Sequence, residues 1–297
     1  AVKGRYTATQ AAGELLRNSG IRFSVQGNTL IISGAADASA AMTLDATTIS
    51  GQSLGATTEG SNSYTTGAVT IGKTPQTLRE TPQSVTVVTR KLMDDKNLVS
   101  LDQVMAQTTG ITRANRGYGN HHFSSRGFDL TDESYLVDGV PGQAYAYTGW
   151  MIPDMALFDR VEVLRGASGL LVGAGNPGGA VNLVRKRPTA DPKFSVTTRA
   201  GSWDNYRLDL DASGRLNPER TLRGRMVASY EDRGYFTDVT KSKRPLLYGI
   251  LEGDLSDATT VAVGLRRQTS RIDGYSVLGL PNNPDGTNPH LKRSTYL

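Results

Sequence analysis

The sequence predicts an α+β unit followed by a run of antiparallel β-strands, with a smaller α/β piece ahead of both. Three observations carry that expectation. Between Lys73 and Pro188, short β-rich runs surround one well-capped helical segment. After Pro188 the texture becomes apolar–polar alternation, in stretches of about ten residues. Between Ala35 and Gly72 the composition shifts to Ala, Ser, Thr and Gly, which separates a short N-terminal piece from the rest.

Residues 1–34 read as the end of a small α/β domain. Ala8 to Asn18 is helix-like, with Leu15 and Leu16 apolar and Gly20 as a stop signal. Ile21–Val25 and Thr29–Ser33 are β-rich runs around Gln26-Gly27-Asn28, a hairpin pattern. This is too little chain to bury a core alone, so the first half of that domain is expected outside the sequence. Residues 35–72 read as a flexible linker. Within it, Leu44-Asp45-Ala46-Thr47-Thr48-Ile49-Ser50 is a strand-prone island, either plain linker or a peptide offered to a partner's sheet edge.

In 73–188, Ser84 to Thr89 alternates as a strand. Ser100-Leu101-Asp102-Gln103 is a capping box; Leu101, Val104 and Met105 form a helical core stripe, and Gly110 lies beyond its end. Tyr135-Leu136-Val137 runs into the turn pair Asp138-Gly139, and Arg160 to Arg165 is a strand with charges interleaved. Gly173, Gly175 and Gly178 spell a G-x-G-x-x-G, but a dinucleotide loop needs a strand before it and a helix after it. Gly178-Gly179 disfavours a helix, Ala180 to Val184 is short and β-branched, and Pro188 closes the segment soon afterwards. Asn176-Pro177-Gly178-Gly179 reads better as a tight turn before a strand.

After Pro188, Tyr206, Leu208, Leu210 and Ala212 alternate with Arg207, Asp209, Asp211 and Ser213. Leu222, Gly224, Met226, Ala228 and Tyr230 alternate with Arg223, Arg225, Val227, Ser229 and Glu231. Leu247, Leu251 and Leu255 flank Gly249 and Gly253, and Val261, Val263 and Leu265 continue the period of two. Each strand has one apolar and one polar face. Periodicity alone admits both a soluble antiparallel sandwich and an outer-membrane barrel.

The bulk numbers narrow the function classes. Among 297 residues, 37% are hydrophobic, which suits either all-β solution. No stretch approaches the roughly 18 apolar residues of a membrane helix. The absence of Cys excludes disulfides and thiolate metal sites. No initiator Met or apolar leader is present, so any targeting signal is expected outside this sequence. The net charge of +5 arises in the last third, with 19 Lys/Arg against 13 Asp/Glu from Arg185 to Leu297. Those bases are scattered among acids without aromatic platforms, which points to a solvated or lumen-facing strand surface rather than to nucleic acid. With only His121, His122 and His290 available and no G-x-S-x-G elbow, no catalytic constellation is visible and no enzyme is expected.

The segments "RETPQSVTVVTRKLMDD", "LDQVMAQTTGI", "SSRGF", "YLVDGVP" and "FDRVEVLRGASGLLVGAGNPGGAVNLVRKRP" occur in that order. Together they resemble the plug domain of TonB-dependent siderophore receptors. Residues 1–34 resemble the end of the periplasmic signalling domain of that family's transcription-regulating branch. The resemblance implies a partial β-α-β signalling domain over 1–34, a linker with a TonB box over 35–72 and an α+β plug domain over 73–188. Residues 189–297 would be the first ~5 strands of a transmembrane antiparallel β-barrel, a wall of about 22 strands in the family. The glycine segment becomes a plug turn leading into the last plug strand, and Lys186-Arg187-Pro188 the exit into the wall.

The function implied is import of a ferric siderophore across the bacterial outer membrane, with periplasmic signalling that regulates transcription. Haem, cobalamin or a glycan would be the alternative cargo on the same scaffold. The implied partners are the ferric siderophore, TonB with its ExbB/ExbD energy supply, an inner-membrane anti-sigma regulator and outer-membrane lipid, and no nucleic acid. No cofactor is implied, because the iron arrives already chelated. Leu44, Asp45, Ala46, Thr47, Thr48, Ile49 and Ser50 would be the TonB box, preferred over Ala68 to Gly72 because they resemble the family's acidic–hydrophobic box and precede a long linker. Siderophore contacts would come from two polar–aromatic loops, through Arg116, Tyr118, His121, His122, Tyr145, Tyr147 and Trp150. Direct metal binding by His121-His122 is not expected, since neighbours on a strand point opposite ways. Arg126 and Arg165 match the family arginines that lock the plug to wall glutamates, with Glu162 orienting Arg165.

Overall fold

The computed structural model describes residues 10, 22–26, 29–33, 56–72, 74–115, 121–141, 152–169, 176–219, 221–274 and 282–295. They fall into two compact units, 1–52 and 53–297. In the first, β1 (Arg22–Gln26) and β2 (Thr29–Ser33) pair antiparallel, Arg22 facing Ser33 and Gln26 facing Thr29. The hairpin expected there is present. Of the helix expected over 8–18, only Gln10 is described, and it is helical.

The second unit begins earlier than composition suggests. Residues 56–72, read above as linker, are part of the folded unit: β3 (Ala68–Val69) pairs with β4 (Gln76–Thr77), and Val69 and Ile71 are buried. Ile71 packs against Leu136, Leu164 and Ala180. Two apolar side chains in the right place outweigh a Ser/Thr/Gly-rich average.

The α+β unit expected over 73–188, the plug of the resemblance, is built on a mixed sheet. β5 (Ser84–Val88) is followed by α1 (Arg90–Asp95), capped by the Thr89 hydroxyl accepting from Leu92 N–H. α2 (Leu101–Ala106) starts at the expected cap, where Gln103 Oε1 accepts from the Ser100 and Val99 amides at 3.3 and 2.8 Å, and Gly110 takes φ +80° beyond its end. β6 (Ile111–Asn115), β7 (His121–Ser125) and β8 (Phe128–Asp129) form a small antiparallel sheet. β9 (Tyr135–Val137) and β10 (Val140–Pro141) close on Asp138-Gly139, both at positive φ as a tight hairpin turn requires. β11 (Phe158–Arg165) and β12 (Gly179–Arg185) are central in the order β10-β9-β12-β11-β5, with β12 and β9 parallel.

Of the glycine motif, Gly173 and Gly175 lie outside the described residues. The rest is a turn into a strand, as expected. Gly178 N donates to Asn176 Oδ1 at 2.7 Å, Gly179 N donates to Asn176 O at 3.1 Å, and β12 follows instead of a helix. At φ +123°, a Cβ on Gly179 would sit 2.0 Å from the Leu164 carbonyl oxygen, so only glycine fits.

The remaining strands are β13 (Lys193–Gly201), β14 (Asn205–Arg215), β15 (Leu222–Gly234), β16 (Lys241–Ser256) and β17 (Thr259–Gln268). Each pairs antiparallel with the next, and β18 (Arg271–Asp273) pairs back onto β16. One face carries the row Val196–Leu210–Ala228–Leu247; the other carries Thr197–Asp209–Ser229–Leu246. The apolar face is bare: Phe194, Met226, Leu251, Val263 and Leu265 are all more than half exposed. The polar face lies against the plug, and its few apolar members (Val227, Leu246, Tyr248, Ile250) join the plug core around Val88, Met93 and Phe158. A sandwich buries its apolar face; this sheet presents that face outward, as a barrel wall does.

Candidate functional site

The seam between plug and wall holds most of the buried charge, in two clusters. The first is centred on Thr58 and Glu59. Both amides donate to the Asp159 carboxylate at 2.7–3.1 Å, the Thr58 hydroxyl donates to Asp159 O, and Arg90 N donates back to that hydroxyl at 3.0 Å. Glu59 then reaches the wall. Arg225 Nη1 and Nη2 donate to its two carboxylate oxygens at 2.6 and 2.7 Å, and Lys193 pairs with it as well. The same guanidinium holds Asp211 through Nε and Nη2 at 2.8 and 2.6 Å, and Lys186 Nζ donates to Asp211 at 2.9 Å. A short segment thus clasps plug strand, helix start and wall together.

Burial alone would raise the Glu59 carboxyl, but hydrogen bonds from Arg225 and Lys193 outweigh it and hold the pKa down to about 2. A lowered folded-state value contributes stability above the ordinary pKa of 4.5, and that contribution is lost as pH falls from 4.5 towards 2. Protection of this unit from protease in the full-length protein is expected to weaken across that interval. Glu59→Gln should remove part of the dependence; an unchanged acid profile would take Glu59 out of the clasp. Burial, followed by the neighbouring Arg90 charge, pushes the Lys186 amine down, against the raising pull of Asp211.

The second cluster is centred on Asp154. Arg207 Nη1 and Nη2 donate to its two oxygens at 2.7 Å each, a bidentate pair with both side chains under a tenth exposed. Asp154 also accepts from Ala156 N at 2.8 Å, which caps the 3₁₀ turn Met155–Leu157, and it bridges to Ser100 through the backbone. Gln268 of β17 donates to Ile152 O at 2.8 Å and accepts from Asp154 N at 3.2 Å. A cavity of about 320 Å³ touches both clusters, lined by Glu59, Arg90, Lys186, Arg207, Asp209 and Asp211. That is room for ordered water among polar partners.

Of the sequence-predicted contact residues, Arg116, Tyr118, Tyr145, Tyr147 and Trp150 lie outside the described residues, as do Leu44 to Ser50. His121 and His122 open β7 rather than standing in a loop, paired with Asn115 and Ala114. His121 Nε2 lies 3.7 Å from Asp102, whose other close cation is Arg113 at 3.5 Å. Burial pushes the His121 imidazole down, against the raising pull of Asp102. Among the described residues no group of three or more His, Cys, Asp or Glu could hold a metal ion.

The predicted Glu162–Arg165 contact is absent and must be corrected. Three apart on β11, the two side chains leave opposite faces. Glu162 is fully buried and accepts from Arg160 Nε at 2.8 Å, Thr70 N at 3.0 Å and Asn182 Nδ2 at 3.0 Å. Arg165 donates to Thr86 Oγ1 at 2.6 Å, Thr109 O at 2.9 Å and Ser84 Oγ at 2.8 Å. Arg126 is exposed at φ +52° in the β7–β8 turn. Sequence reasoning missed Glu59, Asp154, Lys186, Arg207, Asp211 and Arg225. The available signal was parity: Arg207, Asp211 and Arg225 are charges at inward positions of otherwise amphipathic strands.

Residues 77–180 match the family described as "TonB-dependent Receptor Plug Domain". The chain is 46% identical, over its whole length, to the ferric-pyoverdine M114 receptor PbuA of Pseudomonas sp. (strain M114), covering 36% of that protein. It is 46% identical over 92% of its length to the ferripyoverdine receptor of Pseudomonas aeruginosa PAO1, covering 34% of it. The crystal structure of the outer-membrane ferripyoverdine receptor of Pseudomonas aeruginosa bound to ferripyoverdine superposes with a TM-score of 0.75 at 39% identity, over 99% of this chain and 37% of that one. The chain spans about a third of the length of the curated relatives it matches.

Proposed function

This chain belongs to the TonB-dependent siderophore receptors, and on that premise we propose that the complete protein imports a ferric siderophore of the pyoverdine class across the bacterial outer membrane. The observation that carries the proposal is the 46% identity over the entire chain with a receptor named for ferric pyoverdine. The geometry supports the transport half of the reading. The wall turns an apolar face outward, and beside the apolar contacts of Val227, Leu246, Tyr248 and Ile250 the plug is held by ion pairs around a polar cavity. Ion pairs of this kind hold register but contribute little net stability.

In this reading the apical segments with Arg116, Tyr118, Tyr145, Tyr147 and Trp150 meet the chelate, and Leu44 to Ser50 adds as a strand to TonB's sheet, powered through ExbB/ExbD. Residues 1–34 signal to an inner-membrane anti-sigma regulator. The iron is cargo and the protein performs no covalent chemistry. Titrating the purified complete receptor with a panel of ferric siderophores tests the cargo. Tight binding is expected for a ferric pyoverdine and not for ferrichrome; selective binding of an unrelated chelate would overturn the assignment. The rival box at Ala68 to Gly72 is seated in the plug, with Val69 and Ile71 buried. A peptide spanning 44–50 is therefore expected to bind the TonB C-terminal domain where one spanning 68–72 does not. The reverse result would move the box.

A further inference from the structure

We propose that Asp102 is a positioning residue for cargo binding: its carboxylate ties the start of α2 to both strands of the β6–β7 hairpin, and the tie loosens when His121 takes up a proton. The inference rests on the transport reading above, in which the segment joining β6 to β7 meets the chelate. Strand parity supplies the geometry. His121 faces Asn115 and Phe123 faces Arg113, so His121, Phe123 and Arg113 share one side of the hairpin. Phe123 is buried there, in the same core as Leu101 and Met105 of α2. Asp102 stands in the first turn of that helix. Its Oδ1 accepts from the Ser100 hydroxyl at 2.5 Å, and its Oδ2 lies 3.5 Å from Arg113 Nη1 and 3.7 Å from His121 Nε2. One oxygen thus fixes the carboxylate to the helix cap while the other answers a side chain on each strand. The His121 and Asp102 side chains are only 12% and 15% exposed, so water and salt screen the contact little.

The same contacts make the tie sensitive to protons. Burial holds the His121 imidazole below its ordinary value of 6.5, and Arg113 of β6, Arg244 of β16 and the adjacent His122 add to that, against the raising pull of Asp102 of α2. The seated hairpin therefore binds fewer protons than a loosened one. Its advantage is complete above 6.5 and is lost as the pH falls below that value. Two substitutions then act with opposite sign. Without the Asp102 charge nothing offsets burial, so Asp102→Asn should weaken affinity at neutral pH and deepen the acid loss. Without the Arg113 charge the proton is easier to accommodate, so Arg113→Gln should make the acid loss shallower. Both changes break the same ion pair, and a purely structural role would not send their pH responses apart.

Calorimetric titration of the complete receptor with ferric pyoverdine at about pH 7.5 and about pH 5.5 tests this, since the two values bracket an imidazole. Wild-type affinity is expected to fall about fivefold between them, the scale of one histidine titrating. His121→Gln cannot titrate and should fall less than about twofold, and any protonation of the chelate itself shows there. Asp102→Asn should fall further than the wild type and Arg113→Gln less, while Asp102→Glu should restore part of the neutral-pH affinity. Equal falls in the wild type and His121→Gln overturn the proposal, as does wild-type affinity at both pH values in Asp102→Asn. Amide hydrogen exchange of residues 111–115 and 121–125, corrected for intrinsic rates, reads the tie without cargo. Faster exchange at the lower pH in the wild type but not in His121→Gln supports it, and no difference between the two overturns it. Exchange that responds in a receptor binding no ferric pyoverdine would sink the transport assignment, and the positioning role with it, while leaving the tie itself standing.

Discussion

Replacing Arg225 with Ala is expected to be the most damaging single change in the seam, lowering stability by about 3 kcal/mol. Its side chain is fully buried and grips Glu59 and Asp211 at once. Removing the guanidinium leaves two buried carboxylates with only Lys186 and Lys193 to answer them. Arg225→Lys should recover part of the loss, because a single ammonium cannot chelate both acids as a planar fork does. Joint Glu59→Met and Arg225→Met should recover more than Arg225→Met alone, since the pair leaves together and Asp211 keeps Lys186. Urea-dependent proteolysis of the plug in the complete receptor measures all three. A midpoint unmoved in Arg225→Ala would mean that the clasp carries no load.

Asp154→Ala ranks next, with a loss again of about 3 kcal/mol and an effect on cargo binding that Arg225 should not share. Asp154 answers the buried Arg207 and caps the turn at Met155–Leu157, and it lies just beyond the predicted ligand loop over Gln143 to Trp150. Freeing that anchor should weaken ferric-siderophore affinity by about tenfold, as ordering the loop then falls to the ligand. Asp154→Asn keeps the cap and shape but loses the charge, so stability should drop while affinity falls less. Calorimetric titration of both variants separates the roles; full affinity in Asp154→Ala would show that the loop is anchored elsewhere.

The fold was legible where local chemistry is strong. The Ser100 capping box, the Asp138-Gly139 turn, the Asn176 to Gly179 turn and the inward–outward rows of β14 to β17 all follow from short-range rules. α1 was missed although Thr89 caps it and Arg90–Asp94 and Lys91–Asp95 pair at i,i+4, because six residues show less than two turns of periodicity. Residues 56–72 were misread because composition averages over a window, whereas burial of Val69 and Ile71 depends on a sheet assembled from later residues. The candidate site was least legible. Period two told which face Arg207 and Arg225 occupy, but Glu59 is 166 residues from Arg225 and Asp154 is 53 from Arg207. No local pattern pairs residues so distant. The resemblance set Glu162 beside Arg165, whereas strand parity sends the two side chains to opposite faces.

Uptake of radiolabelled ferric pyoverdine by cells carrying the complete receptor tests the account most directly. The prediction is accumulation that disappears when TonB or residues 44–50 are deleted, while binding of the chelate at the cell surface persists. Accumulation that continues without TonB, or a receptor that never binds the chelate, would contradict it.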